Sequence, residues 1–426
     1  MIIRTVWTNL TIQALTFVTS VLVARLLGPT GRGELALVLL YPQLVANIAL
    51  LGVDRAVAVI GGRGSLDHPF AVLVKLALLL SVPAIVAGYV VLRWLIVDTH
   101  LAALATIYLA YVPPVYFYTL VVFLFNGIGH FARFNRLRLI FYFVNLGLLL
   151  AILAASPTEP LDWVVFANLA AVFGGSTAAV WLLQGLEPPA RHAEEAHTGS
   201  VRAVLGLASI FVLPVALAHL SRSAFQIVIA NRLGVEPLGL FVVYLSYGRL
   251  LSPIGSAIGS HLFRLGIAGE GRDVASIFRR SLVVYTVCGL PLWLVADRLI
   301  PLVFGKEFVV DSAALALIFV SCLFALTGDT MAEFLSGRRR VGADSGGWVI
   351  YLVTLGVLGW ELAPSLGLVG MALGMVAADS MRCSYLVNRV ANEAGQAFGD
   401  FWRLNRQDLL DLYRAGMGIL PYFRAR

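Results

Sequence analysis

Long uncharged apolar runs, separated by short polar breaks, dominate this sequence. No charged residue occurs from Thr5 to Val23, and none occurs from Leu35 to Val53. Each run is long enough to cross ~30 Å of hydrocarbon as an α-helix. The breaks predict about twelve membrane spans, which begin near Thr5, Leu35, Phe70, Leu101, Leu137, Leu161, Val204, Leu238, Ser281, Ala313, Gly347 and Leu366.

The second half of the sequence repeats a spacing found in the first. At one constant offset, Ala24, Leu27, Gly28, Gly33 and Tyr41 align with Ala230, Leu233, Gly234, Gly239 and Tyr247. This alignment predicts two copies of a six-span unit, and an even number of spans inserts both copies the same way round. Chance matching between leucine-rich helices is the alternative. Gly255-x-x-x-Gly259 and Gly370-x-x-x-Gly374 predict close helix contacts.

Composition and charge agree with a polytopic membrane protein. The chain is 59% hydrophobic and only 13% charged, with a mean hydropathy of +0.87. In a soluble domain, about a quarter of the residues are charged. Its net charge of +7 lies mostly in alternate loops, so it indicates membrane topology and not nucleic-acid binding. The three cysteines lie singly along the sequence and form no closely spaced pair. They therefore predict neither a disulfide framework nor a metal site.

The loop charges predict that both termini are cytoplasmic. Basic residues are plentiful in one set of loops and sparse in the other, as the positive-inside rule requires. The predicted outward loops hold only Arg25, Arg32, Arg93, Arg232, Arg298 and Lys306. We therefore expect an N-terminal six-helix bundle (1–184), a cytoplasmic linker (185–202), a C-terminal six-helix bundle (203–392) and a cytoplasmic amphipathic tail (393–426).

Three stretches carry a resemblance to a known family. They are Ala24–Gly33 with the following Glu34–Tyr41, the loop stretch Leu302–Ala313, and Leu245–Leu250. Together they resemble the polysaccharide flippases (the O-antigen, or Wzx-type, exporters) of the MOP superfamily, which also holds the MATE drug exporters and the lipid II flippases. Many family members carry an acidic residue midway along the seventh span, where this chain has Ser223–Gln226.

The resemblance implies a fold and a function. It implies an all-α, MATE-like membrane protein of about 12 spans in two pseudo-symmetric halves. It also implies a flippase, not an enzyme, that moves an undecaprenyl-diphosphate-linked oligosaccharide across the bacterial inner membrane by alternating access. Lipids, a polysaccharide polymerase and chain-length proteins are the expected partners. No cofactor is expected, and a proton or sodium gradient is the expected driving force.

Polar residues recur on one face of four predicted spans, which are the first two of each half. Charged groups are expensive in hydrocarbon unless they meet water, an anion or a counter-charge, so arginines inside apolar runs are the strongest candidates. A guanidinium also matches the oxygens of a diphosphate. The candidate substrate-binding residues are Arg222, Arg249, Arg55, Gln13, Asn47 and Gln226. A structural ion pair is the alternative for Arg222 and Arg249, and an anchor at the membrane interface is the alternative for Arg55. For the serines and threonines of the same faces, hydrogen bonding between helices is the preferred interpretation.

Two carboxylates in the predicted tenth span are candidates for ion coupling. Asp329 and Glu333 lie four residues apart, and a carboxyl group in apolar surroundings can take up a proton near neutral pH. Pairing with the arginines at 338–340 is the alternative. Asp379 and Arg382, three residues apart, predict a structural ion pair.

Three other functions remain open. A MATE-like cation or drug antiporter would need acidic residues in the cavity of the N-terminal half, which offers none apart from Glu34 and Asp54 at the interface. A polytopic polysaccharide polymerase or glycosyltransferase would need larger outward loops than this chain has. A purely structural scaffold would have no use for arginines inside its spans.

Overall fold

In the computed structural model the chain is helical over most of the described residues, which are 2–62, 66, 68–184, 200–269, 271, 273–408 and 410. Side chains are described from residue 7 onward, except that of Val341. The α-helices within these ranges are α1 (Ile2–Ala49), α2 (Val53–Gly62), α3 (Pro69–Leu95), α4 (Thr99–Tyr108), α5 (Val112–Gly127), α6 (Phe131–Ala155), α7 (Pro160–Gln184), α8 (Val201–Ala208), α9 (Val212–Arg232), α10 (Val235–Gly248), α11 (Ser252–Ala268), α12 (Val274–Phe304), α13 (Ser312–Gly337), α14 (Val341–Ala394) and α15 (Phe398–Trp402). Short 3₁₀ turns join α4 to α5 and α10 to α11.

Ten helical stretches of the described chain are long and apolar enough to cross a membrane. Two of them, Trp7–Ala49 and Gly342–Ala394, contain one glycine each with non-helical backbone angles, Gly28 and Gly367. The parts on either side of each break are close to the ~20 residues that one span needs. If the two parts of each broken stretch are counted separately, the described chain has twelve segments of spanning length. The prediction of an all-α polytopic membrane protein is confirmed.

The break in α1 has a local cause. Gly28 adopts φ 66° and ψ −175°, a conformation that costs free energy for any residue with a Cβ. Pro29 follows it and has no N–H group to donate to the preceding turn. A Cβ on Gly28 would also lie 2.8 Å from a carboxylate oxygen of Glu307. The sequence therefore ends one span and starts the next at this pair of residues.

The chain divides into two compact units. Unit 1 contains the chain up to Tyr247 together with Ile300–Val309, and unit 2 contains Gly248–Leu299 together with the chain from Val310 onward. In unit 1, α1 packs against α3, α4, α6 and α9, while α2 packs against α5 and α8. In unit 2, α13 packs against α11 and α14.

Within unit 1, the aligned segments of the predicted repeat contact each other reciprocally. A Cβ on Gly33 would overlap the carbonyl oxygen of Val235, and a Cβ on Gly239 would overlap that of Pro29. Pro29 and Val235 are separated by the same offset as Gly33 and Gly239, so each copy places its glycine on the same carbonyl of the other. The aligned residues Gly28 and Gly234 both have positive φ, and Tyr41 and Tyr247 are both buried. These matches support a true duplication over chance.

In unit 2, glycines also allow the helices to approach closely. A Cβ on Gly259 would lie 3.2 Å from Cγ of Glu333, and one on Gly255 would lie 3.0 Å from Leu326, so α11 lies directly on α13. Gly374 sits against Gly359, which brings the two parts of α14 together. The predicted glycine contacts are therefore confirmed. Burial of Phe278, Phe334, Phe401 and Leu386 forms the core at one end of this unit.

Two predicted segments lie partly outside the described residues. Of the predicted linker (185–202), only 200–202 are described, and of the predicted tail (393–426), the description ends at 408 and at 410. In the described part of the tail, α15 is a short helix of five residues. The predicted boundaries of the two bundles remain a prediction.

The reciprocal glycine contact generates a first prediction. We expect Gly33→Ala to lower the stability of the protein by about 1–3 kcal/mol, because the new methyl group forces two backbones apart. Thermal unfolding of the detergent-purified protein measures the effect. Gly147→Ala is the matched control, since a Cβ there meets nothing within 4 Å. Equal unfolding temperatures for the two variants would contradict the close contact.

Candidate functional site

Part of the polar stripe on α1 holds helices together inside unit 1. Ser20 Oγ lies 3.4 Å from Ser246 Oγ on α10, and Asn9 accepts a hydrogen bond of 3.0 Å from Arg138 on α6. Thr16 donates to the carbonyl group of Ile12 in its own helix. Ser20 therefore follows the preferred interpretation of hydrogen bonding between helices, Asn9 does the same, and Thr16 bonds within α1. The amides of Gln13 and Asn47 are partly exposed and remain candidates for substrate contact.

Two of the predicted arginines act on one imidazole in unit 1. Arg55 on α2 and Arg222 on α9 are both exposed, and both guanidinium groups lie within electrostatic range of the His219 imidazole. The start of α2 is fixed beside α9, because a Cβ on Gly52 would meet Cβ of Phe211 at 2.5 Å. An exposed guanidinium on an apolar helix is stable where it faces water or an anion. This part of unit 1 is therefore suited to an anionic group.

Arg25, at the far end of the first span, has a different role. Its guanidinium donates to the carbonyl groups of Leu302 and Val303, at 2.6 and 2.7 Å. These carbonyls belong to the last turn of α12, whose acceptors have no partner within the helix. Arg25 thus caps the C-terminal end of α12, where a positive charge is also favoured by the helix dipole.

Unit 2 carries the third predicted arginine at the start of a polar helix face. Arg249 lies in the 3₁₀ turn before α11 and is exposed, as are Ser256 and Ser260 farther along the same helix. The two serine hydroxyls donate to carbonyl groups one turn earlier, at 3.1 and 2.8 Å. The exposed Glu333 of α13 lies against Gly259. Arginine, hydroxyls and carboxylate therefore form one polar face, which hydrocarbon would not solvate.

A buried arginine connects the two parts of α14 with α13. Arg382 is only 2% exposed, and its guanidinium lies 2.8 Å from Asp329 and 3.2 Å from Asp344. The same guanidinium lies 3.6 Å from the ring centroid of Trp348, whose indole N–H donates to Asp344 at 3.2 Å. Charge-assisted hydrogen bonds and the aromatic face offset the cost of burying the cation.

The alternative partner predicted for Asp329 is wrong. Asp329 does not pair with the arginines at 338–340, because Arg338 donates to the Gly269 carbonyl and Arg340 pairs with Glu393. Its partner is Arg382. Since the Asp329 side chain is 48% exposed, it links the buried guanidinium to the surface of unit 2. Ion coupling at Asp329 and Glu333 stays a prediction.

Asp379 does not take Arg382 as its hydrogen-bond partner, contrary to the predicted pair. Its buried carboxylate accepts a hydrogen bond from the Ser321 hydroxyl of α13. The charges of Arg249 and Arg382 both act on it across the unit. Among the described residues, no group of three or more His, Cys, Asp and Glu side chains is placed to hold a metal ion.

Two members of the Arg382 network were not among the predicted residues. Asp344 and Trp348 lie four residues apart at the start of α14, so they share one helix face. A carboxylate and an indole one turn apart inside an apolar span form a signal that the sequence does contain. Only the structure shows that this face meets Arg382.

Comparisons with known proteins identify the fold. No protein-family model matches the sequence, and no curated protein matches it. Among solved structures, the chain is similar to an inward-facing multidrug resistance MATE family transporter of the MOP superfamily, with a TM-score of 0.71, 17% identity and 90% of this chain and 96% of the other covered. It is also similar to the lipid II flippase MurJ in an inward closed conformation, with a TM-score of 0.69, 12% identity and 96% and 92% covered.

A eukaryotic MATE transporter, AtDTX14, is similar with a TM-score of 0.65, 14% identity and 93% of this chain and 97% of the other covered. The chain spans nearly the full length of all three proteins. It therefore has the fold of the MATE and MurJ transporters, and the predicted fold class is confirmed.

The Arg382 network generates a second prediction. We expect Arg382→Gln to destabilise the protein by about 3–5 kcal/mol, because it leaves buried carboxylate groups without their cation. Arg340→Gln is the matched control, since its ion pair with Glu393 is largely exposed and is worth under about 1 kcal/mol. Thermal unfolding in detergent measures both variants. A loss of stability no larger at Arg382 than at Arg340 would contradict the buried network.

Proposed function

We propose that this protein is a flippase of the bacterial inner membrane that moves a lipid-linked oligosaccharide diphosphate to the outer leaflet. It is proposed to work by alternating access and to catalyse no covalent chemistry. One observation carries the proposal: three arginines, Arg55, Arg222 and Arg249, present exposed guanidinium groups on helices that are otherwise apolar.

The chemistry of the substrate matches those groups. During translocation the charged diphosphate crosses the membrane interior, where the dielectric constant is low. Guanidinium groups stay charged there and form bidentate hydrogen bonds with phosphate oxygens. Within unit 1, Arg55 and Arg222 are proposed to bind the diphosphate, and within unit 2 Arg249 is proposed as a separate phosphate contact. Gln13, Asn47 and Gln226 are amides suited to sugar hydroxyls. The polyprenyl chain would remain in the lipid.

The fold adds independent support. A structurally similar protein is described as a lipid II flippase, and transporters built from two repeated bundles bind their substrates between the repeats. The assignment of an oligosaccharide and an undecaprenyl carrier is based on the resemblance to polysaccharide flippases. A polysaccharide polymerase and chain-length proteins are the proposed partners, and the positive-inside pattern supports cytoplasmic termini.

We further propose that a proton or sodium gradient drives transport through the carboxylates of unit 2. Asp329 is half exposed and holds the buried Arg382, while Glu333 is exposed one turn away. Neutralising Asp329 would weaken its bond to Arg382, so a proton or a cation at this carboxylate would alter the packing of α13 against α14. Such a link between an accessible charge and helix packing is what ion coupling requires.

A cation or drug antiporter is the second candidate function. Its support is the similarity to a multidrug resistance MATE transporter, together with the exposed carboxylates Asp329 and Glu333, which suit a cationic substrate. The exposed arginines oppose it, because they repel a cation. Drug-resistance assays in cells that express the protein separate the two functions.

The flippase proposal predicts a specific loss of transport. We expect Arg249→Gln to reduce the translocation rate by roughly tenfold or more, because one charge-assisted hydrogen bond to phosphate is lost. Liposomes that contain the protein and an undecaprenyl-diphosphate oligosaccharide measure it, with outer-leaflet accessibility of the glycan as the readout.

Arg93→Gln is the control for this experiment, since Arg93 is exposed at the end of α3 and stacks on Tyr89. It should translocate at the original rate. Equal rates for the Arg249 variant and the original protein would remove Arg249 from the mechanism.

The coupling proposal predicts a different phenotype. We expect Asp329→Asn to abolish the dependence of transport on an imposed proton or sodium gradient. An amide does not take up a proton at physiological pH, and it has no negative charge to bind a cation. Asp297→Asn is the matched control, since Asp297 accepts a hydrogen bond from Ser312 outside the Arg382 network. If the Asp329 variant still responds fully to both gradients, the coupling site lies elsewhere.

A further inference from the structure

The C-terminal segment after α14 folds back onto the start of α12, inside unit 2. Phe401 is fully buried, and its ring packs edge to face on Phe278 of α12 with 5.7 Å between centroids. Trp402 packs on the same ring at 5.2 Å. We call residues 397–408 the return segment. The aromatic contacts fix its position against α12.

A second attachment lies at the end of the return segment. The Asp408 carboxylate accepts hydrogen bonds from Arg279 at 2.6 Å, from the Ser276 hydroxyl at 3.0 Å and from the Asn405 N–H group at 3.2 Å. Burial alone would raise the pKa of Asp408, but these hydrogen bonds and the charge of Arg279 hold the pKa below its usual value. Asp408 is therefore ionised at neutral pH, and the attachment persists there.

A polar, partly open pocket of about 410 Å³ lies between the return segment and α12. This volume is within the range of sites that hold small ligands. The side chains around it are mostly hydrogen-bond donors or amides. The polar residues of its wall are Ser276, Arg279, Gln396, Asp400, Arg403 and Asn405.

The charges of the pocket favour an anion. Arg279 is more than nine-tenths buried, and besides Asp408 it donates to the backbone carbonyl of Asp400. The Asp400 carboxylate turns back to the N–H group of Ala397 at the start of its own helix. Arg403 is exposed, and it makes no hydrogen bond or ion pair with any residue that the structure describes. Its guanidinium belongs to the pocket wall.

The return segment also carries exposed apolar side chains. Phe398, Trp402 and Leu404 are 41%, 37% and 54% exposed. Aromatic residues next to basic residues are typical of the boundary between lipid headgroups and water. The loop charges predict that this end of the chain is cytoplasmic, where the leaflet carries anionic lipids.

We infer that the pocket between the return segment and α12 binds the phosphate-bearing headgroup of an anionic phospholipid from the cytoplasmic leaflet. Arg403 and the donors of the pocket wall contact the phosphate, and Phe398, Trp402 and Leu404 lie against the acyl chains. The inference rests on the predicted topology and is independent of the transported substrate.

Two matched variants test this inference. Arg403→Gln removes the guanidinium in the pocket, whereas Arg406→Gln removes an equal charge from an exposed position of the same segment outside the pocket wall. Each protein is purified from mixed micelles of phosphatidylcholine and phosphatidylglycerol, and native mass spectrometry measures the retained lipid. We expect Arg403→Gln to lower phosphatidylglycerol retention about tenfold and Arg406→Gln to change it less than about twofold.

Further measurements identify the ligand. Asp408→Asn weakens the attachment that builds the pocket, so it should also lower phosphatidylglycerol retention while leaving phosphatidylcholine retention unchanged. Equal losses at Arg403 and Arg406 would reduce the effect to general charge attraction and overturn the site. Displacement of the lipid by millimolar inorganic phosphate, with no preference for phosphatidylglycerol over phosphatidylcholine, would also overturn the assignment to a lipid.

Discussion

Hydrocarbon does not solvate a guanidinium group, and this constraint explains where the arginines of the chain lie. Inside the helices of unit 2, Arg382 is buried and binds two carboxylates and an indole. Arg25 neutralises the carbonyl end of α12. Arg55, Arg222 and Arg249 are exposed on apolar helices, where a guanidinium needs water, an anion or a counter-charge. The same rule therefore underlies both the buried network and the proposed phosphate contacts.

Much of the fold could be predicted from the sequence because its determinants are local. Uncharged apolar runs define the spans, and Gly28 followed by Pro29 breaks the first long helix. The repeat was visible from five aligned residues, since glycines at helix contacts and at breaks tolerate few substitutes. The exposed position of Arg249 follows from its place among serines spaced along one helix face.

The partners of the charged residues could not be predicted in the same way. The partners of Arg382, Asp329 and Asp344, are 53 and 38 residues away from it in the sequence. Arg279 and Asp408 are separated by 129 residues. These pairings depend on how each helix is rotated about its axis, and a span that is apolar on all sides gives little information on that rotation. The sequence pointed to Asp329 but to the wrong arginines, because proximity along the chain was its only guide.

The mutual contact of Gly33 and Gly239 has an implication for the origin of the protein. An interface in which each partner uses the same surface is the defining property of a dimer with two-fold symmetry. Here both surfaces belong to a single polypeptide. The simplest ancestor is a chain of half this length that formed a parallel homodimer in the membrane. A fusion of two gene copies would let each half acquire its own charges. At the same offset, Asp329 and Glu333 on α13 correspond to Phe123 and Gly127 in the first half.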